Sequence, residues 1–245
     1  MSRHVRPAAV DVRRAADRPR TTAPGTTTRH SLSAGRHYDP ANTSFGPLVL
    51  HDEHVLEPGA GFDPHPHRDL EIVTWVLQGA LVHRDGTGRV DVVRPGQVAL
   101  TRAGRGVLHS ERADAAPPAP AHLLQMWLLP DDAGLPPGRE RRDASSALAA
   151  GGLVPLAWGR DDGAALRLAC RGAVLHAARL PAGGAVELPA ADRLHLFVAS
   201  GTVHVRLDGV GALGAGDAVR LLGSAGVGVR ASGAAEVLVW ELPGG

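Results

Sequence analysis

The feature that most constrains this chain is its punctuation. From Ser44 onward, short apolar runs are closed by glycine, proline or aspartate, as in Pro47–Leu50, Glu71–Leu77, Leu81–His83, Val90–Val93, Val98–Thr101 and His122–Leu129. The rhythm resumes after about residue 166 with Leu166–Cys170, Val174–Leu180, His195–Ala199, Val203–Leu207, Val219–Leu222, Val227–Val229 and Val237–Leu242. Such runs are too short for core helices. Strands at close, regular spacing with turn residues between them build β-sandwiches or barrels. Asp85-Gly86 and Arg94-Pro95-Gly96 are explicit turn signals. The expected fold class is all-β.

Two stretches break the rhythm. Residues 1–28, rich in Arg, Ala, Pro and Thr, read as a flexible N-terminal segment with one short β signal near Val10–Val12. Residues 136–165 read as a connector, Pro/Gly-rich at first and then Ala/Ser-rich, with a short helix expected at Ser145–Ala150. That leaves two domains, 29–135 and 166–245. They look like a degenerate repeat. Val76-Leu77-Gln78-Gly79, a hairpin and Arg94-Pro95-Gly96 in the first answer to Val198-Ala199-Ser200-Gly201, a hairpin and Gly214-Ala215-Gly216 in the second. Two small β-barrels of one design follow from that pattern.

Composition narrows the function classes. Twenty-six basic residues, all arginine, against 25 acidic ones leave a net charge of +1, which argues against a dedicated nucleic-acid binder. The single cysteine, Cys170, excludes an internal disulfide and a cysteine-rich zinc module, and reads as a small buried hydrophobe. No apolar run approaches a membrane span, and the first twenty residues lack an apolar signal core, so a cytoplasmic protein is expected. The absence of lysine and the lone isoleucine, Ile72, read as coding bias.

The sharpest chemical signal lies in the first half. His65-Pro66-His67 is followed some forty residues later by His109-Ser110-Glu111. Residues i and i+2 of a strand share a face, so each pair can point one way. Two such pairs on neighbouring strands can converge as three imidazoles and a carboxylate, a donor set that suits several transition metals. The plain alternative is two unrelated surface pairs in a chain with 13 histidines. His51, His54, His83, His122, His176, His195 and His204 have no partner at metal spacing and read as surface or satisfied core residues. His4 and His30 sit in polar segments without a clear role. Trp75 and Trp127 read as core or pocket-wall residues, with the direction of Trp127 left open. Gly104-Arg105-Gly106 has no helix after it and reads as a turn, and neither a nucleophile elbow nor a phosphate loop is present.

Gly61 to Gly79, GFDPHPHRDLEIVTWVLQG, and Ala103 to Glu111, AGRGVLHSE, resemble the two signatures of the pirin family of bicupins. His37-Tyr38-Asp39-Pro40 and Phe45-Gly46-Pro47-Leu48 add to the likeness, which covers roughly residues 30–242 and is nearest to bacterial pirin-like proteins with quercetin 2,3-dioxygenase activity. The resemblance implies two cupin β-barrels in one chain and one divalent metal in the first barrel, held by His65, His67, His109 and Glu111. It assigns the carboxylate ligand to Glu111 rather than to Glu71, which other cupins would favour. It implies Fe(II) first, with Mn, Ni, Co, Cu or Zn as alternatives, and Glu111 as catalytic base. The substrate would be a flavonol-like aromatic molecule, opened with O₂ and loss of carbon monoxide. Matched across the repeat, roughly Glu187, Pro189, Val229 and Ala231 stand at the ligand positions, so the second barrel would be structural. The family also implies an alternative: a non-enzymatic regulatory protein whose metal state tunes contact with a protein partner. A closed structural zinc site is a third reading.

Overall fold

The computed structural model describes residues 7–116, 118–159, 166–224 and 226–244. His4 and the ends of the expected N-terminal segment and connector, residues 1–6 and 160–165, lie outside the described residues. The structure is 57% strand and 5% helix. In chain order the first strands are β1 (Ala9–Arg13), β2 (Arg20–Ala23), β3 (Thr26–His30), β4 (Leu48–Leu56), β5 (Gly61–His67) and β6 (Glu71–Gln78). Next come β7 (Leu81–Asp85), β8 (Val90–Val93), β9 (Gln97–Arg102), β10 (Val107–Ala113), β11 (Ala121–Leu128) and β12 (Gly138–Asp143). Helix α1 (Ser145–Ala150) is followed by β13 (Val154–Trp158), β14 (Leu166–Arg167), β15 (Val174–Leu180), β16 (Ala185–Glu187) and β17 (Ala191–Ser200). The last are β18 (Thr202–Val205), β19 (Ala212–Gly214), β20 (Ala218–Ser224), β21 (Gly228–Ala231) and β22 (Ala235–Leu242).

Two compact units result. The N-terminal unit is Pro19–Asp143 with Leu168–Cys170, and the C-terminal unit is Met1–Arg18, Ala144–Arg167 and Arg171–Gly245. Each is a pair of sheets rather than one continuously hydrogen-bonded barrel. The N-terminal unit has a seven-stranded sheet, β12-β9-β6-β11-β4-β3-β2, and a four-stranded sheet, β5-β10-β7-β8. The C-terminal unit repeats the plan with β1-β20-β17-β22-β15-β13-β14 and β16-β21-β18-β19. The internal repeat read from the turn pattern is thus a repeat of topology, down to the four-stranded sheet.

The interiors differ. In the C-terminal unit Val186, Val203, Val205, Val229 and Ala231 from the small sheet pack with Leu194, Leu196, Val219 and Val239 from the large one. Each such side chain gains roughly 1.5–3 kcal/mol on leaving water, less for alanine, and together they fill the space between the sheets. The N-terminal unit has a smaller apolar plug, with Leu56, Val76, Leu81, Val93, Ala99 and Leu123 at one end. The same unit also buries the polar side chains His54, Thr74, His83, His109, Glu111 and Gln125.

Three boundaries differ from the sequence reading. The segment expected to be flexible is ordered from residue 7: β1 pairs with β20, with Val10 opposite Leu221 and Val12 opposite Val219. Residues 20–30 form a hairpin whose strand β3 pairs with β4. Its turn is Pro24-Gly25, with Gly25 at φ +65°, which glycine adopts without strain. The flanking threonines favour strands but lack the apolar alternation that marks one in sequence. The expected connector begins as strand β12, an edge strand of β9. Its sequence, GRERRD, carries no apolar signal because what holds it on one face is charge: Arg139 and Arg141 both pair with Asp91. The helix Ser145–Ala150 has the expected bounds. The expected strand Leu166–Cys170 shrinks to Leu166–Arg167, while Leu168–Cys170 belong to the N-terminal unit. Cys170 is buried. Among the described residues no helix is long and apolar enough to cross a membrane.

Candidate metal centre

The two histidine pairs lie on adjacent strands. β10 runs antiparallel between β5 and β7, with His109 directly opposite His65 and Glu111 directly opposite His83. The register between β5 and β10 slips after His109, so Glu111 faces Phe62 rather than Asp63. Gly61 allows this close approach, since a Cβ there would run into the Glu111 carbonyl oxygen. Gly104-Arg105-Gly106 is the tight turn before β10, closed by Gly106 N–H donating to the Ala103 carbonyl at 2.9 Å.

His65, His67 and His109 present ring nitrogens that all lie within 4.8 Å of one another. Their centroids are 4.6–4.9 Å apart and their planes cross at 65–85°, so the rings stand edge-on about a shared point. The Nε2 atoms of His65 and His109 are 3.0 Å apart. Two nitrogens about 2.1 Å from one ion and at right angles to each other would stand about 3.0 Å apart, so the pair has the spacing of adjacent ligands. The Nδ1 atom of His65 is 2.6 Å from the Asp63 carbonyl, to which it donates, leaving the Nε2 lone pair turned inward. Burial, reinforced by neighbouring histidines, pushes the pKa of His67 and of His109 down to about 4 despite the opposing pull of Glu111. Neutral imidazoles at neutral pH are what a metal requires.

Glu111 falls into an overlapping group with His83 and His109 rather than with all three of the first set. One carboxylate oxygen accepts from His83 Nδ1 at 3.1 Å and the other accepts from the Gln125 amide. Burial pushes its pKa up, but the His83 hydrogen bond and the charges of His109, His83 and Arg139 outweigh that and bring it down to about 2. Glu111 is therefore a buried anion at the centre of the sandwich. The three imidazoles and this carboxylate fit a divalent transition metal in donor type, in the protonation of His67, His109 and Glu111 and, for His65 and His109, in spacing.

Glu71 is elsewhere. It is fully buried, pairs with Arg102 at 2.9 Å and accepts from the Ala169 N–H at 2.9 Å, so both its oxygens are occupied structurally. His83 is the residue the sequence reading passed over. It is almost fully buried, and its ring lies 4.8 Å from that of His109. The available signal was alternation within the hairpin, because Leu81 and His83 share the inward face of β7. Gln125 and Arg139 carry no local signal, since Gln125 meets Glu111 and Arg139 acts on its charge only once the two sheets face each other.

His65 and His67 open onto a cavity of about 650 Å³. Leu50, Phe62 and Trp127 form its apolar walls, while Thr21, Thr28 and Asp52 line its polar part. Trp127 points inward and meets His67 edge-on at 4.8 Å. In the C-terminal unit the strand pairing puts Val227 and Val229, rather than the expected Val229 and Ala231, at the positions of His109 and Glu111, and both are buried in the apolar core. Val186, not Glu187, is the residue directly opposite Val229.

A family model for pirin matches residues 11–128 of this chain. A Mycobacterium tuberculosis protein named "Putative quercetin 2,3-dioxygenase" is 47% identical over 236 residues, covering 96% of each chain. An Escherichia coli K12 protein named "Quercetin 2,3-dioxygenase" is 37% identical over 113 residues, 46% of this chain and 48% of that protein. The crystal structure of the bacterial pirin YhhW from Escherichia coli in complex with nickel(II) is 27% identical with a TM-score of 0.86, covering 96% of this chain and 99% of that one.

Proposed function

This chain belongs to the pirin family, and from that premise we propose that it is a metal-dependent dioxygenase that cleaves flavonols such as quercetin with O₂. The observation that carries this reading is the cluster of three imidazoles and one anionic carboxylate beside an aromatic-walled cavity. His65, His67 and His109 hold the metal through ring nitrogens, and Glu111 is the fourth ligand. When bound, a divalent ion supplies Lewis acidity for the substrate hydroxyl and a redox partner for dioxygen.

The protein's own groups do the rest. Phe62 and Trp127 clamp a planar ring system and exclude water from it. Glu111 accepts the 3-hydroxyl proton. With a pKa of about 2 it is a weak base, so it takes that proton only from a hydroxyl already acidified in the site. His83 and Gln125 hold the two carboxylate oxygens in place. Both atoms of dioxygen enter the product, carbon monoxide leaves, and no external reductant is consumed. Fe(II) is the first choice because the chemistry is redox; Mn, Ni, Co, Cu and Zn accept the same donors. Nickel and copper outbind iron at such sites, so the metal found after purification reports availability. The C-terminal unit is structural, since apolar side chains fill its interior.

The test is aerobic turnover of quercetin by iron- or manganese-reconstituted protein, followed by loss of flavonol absorbance and release of carbon monoxide. Turnover that vanishes in His65→Ala supports the reading. One bound ion per chain with no turnover under any metal would replace it with a metal-dependent regulatory protein that binds a protein partner.

A further inference from the structure

The cavity has a second polar centre, set apart from the metal ligands. His30 Nδ1 lies 3.0 Å from each carboxylate oxygen of Asp52, and His30 Nε2 lies 2.9 Å from the Thr21 hydroxyl. All three residues line the cavity, and His30 and Asp52 are buried. The Nδ1–H donates to Asp52, and Nε2 shares a hydrogen bond with the Thr21 hydroxyl. Asp52 thereby fixes the tautomer and the ring, as a carboxylate does wherever it backs an imidazole. A buried carboxylate and imidazole cost desolvation, and an apolar pair of the same volume would pack there more cheaply. Their presence on a cavity wall points to a ligand group that they meet.

The sheet says where that group sits. Gln125 on β11, which holds Glu111, is the direct cross-strand partner of Asp52 on β4, and Asp52 is the partner of His30 on β3. Thr21 lies one strand further out, on β2. At about 4.8 Å per strand, the row from Gln125 to Thr21 crosses about 14 Å of sheet. A ligand anchored at the histidine cluster therefore reaches this row with its far end. The far end meets acceptors: the Asp52 carboxylate, Thr21 and Thr22. Among the described residues the arginine lining the cavity, Arg36, is exposed to solvent. An anionic group would face Asp52, whereas a neutral hydroxyl can donate into the row.

We propose that Thr21, His30 and Asp52 form a specificity subsite that accepts a phenolic hydroxyl on the ring of the substrate remote from the metal cluster. The proposal rests on the flavonol reading of the site and narrows it to flavonols hydroxylated on an outer ring. It makes the N-terminal hairpin part of the binding site, with Thr21 as its contact and the His30–Asp52 pair as the group that orients Thr21.

The test is equilibrium binding, by quenching of tryptophan fluorescence, to zinc-loaded protein under nitrogen, where no turnover occurs. The probes are quercetin and 3-hydroxyflavone, which shares the metal-directed 3-hydroxyl and has no other hydroxyl. Thr21→Val keeps a β-branched residue in the edge strand, and His30→Gln is the second variant. Both should weaken quercetin binding about tenfold while leaving 3-hydroxyflavone within about twofold of wild type. Equal losses for both probes, unchanged quercetin binding in both variants, or no quercetin binding by the wild type would overturn the subsite. Selective loss in a protein that never turns quercetin over would leave the subsite standing and refute the dioxygenase. Turnover with unselective variants would do the reverse.

Discussion

Glu111→Gln in the metal-free protein tests the electrostatic account of the centre most directly. Glutamine has the shape of the protonated carboxyl and cannot ionise. In the folded chain Glu111 has a pKa of about 2 against an ordinary 4.5, so the fold favours the anion over the neutral acid by about 3 kcal/mol. The folded pKa is the depressed one, so this stabilisation is fully present above pH 4.5 and is lost as pH falls toward 2. The variant should be less stable than wild type by about 3 kcal/mol at pH 7, and the gap should narrow to roughly half of that at pH 3. Urea unfolding of chelator-treated proteins at both pH values measures it, and titrating groups remote from Glu111 cancel in the difference between the two proteins. A gap that is independent of pH, or below about 1 kcal/mol at pH 7, would refute the claim that His83, Gln125 and the surrounding positive charge hold Glu111 as an anion.

Other outcomes follow from the same geometry. His65→Ala and His109→Ala should each abolish stoichiometric metal by elemental analysis, and full occupancy in either would remove that residue from the ligand set. Glu71→Gln should cost about 2 kcal/mol in urea unfolding, because Arg102 loses its charged partner, yet leave metal content unchanged; lost metal would show that Glu71 belongs to the site. Protons compete for His67 and His109 near pH 4, so metal affinity followed by calorimetry should weaken further as pH falls from 5 through 4. A loss already half complete at pH 6.5 would mean that these rings titrate as if exposed.

What could be read from the chain follows the reach of local rules. Alternation in His65-Pro66-His67 and in His109-Ser110-Glu111 says that each pair shares a face, because successive strand residues point to opposite sides. The same rule places Leu81 with His83, and a core-facing histidine there was a legible warning. The hairpin of residues 20–30 was harder, since its strand character lies in threonines and a Pro-Gly turn. Strand β12 was harder still, because arginine–aspartate pairing to the facing sheet helps hold it and no apolar periodicity marks it.

The sequence by itself determined the all-β class, the doubled design and the two i, i+2 pairs that make a metal centre conceivable. Those depend on turn chemistry and on a two-residue period, which neighbours along the chain express. Only the tertiary structure decided the register that sets His109 opposite His65, the His83 and Gln125 clamp on Glu111, the diversion of Glu71 to Arg102, and the row from Gln125 through Asp52 to His30. It also decided that residues 9–13 complete the sheet of the C-terminal unit while residues 20–30 edge that of the N-terminal one. Each is a contact between segments far apart in the chain, and which strands pair, and in what register, depends on how whole sheets pack.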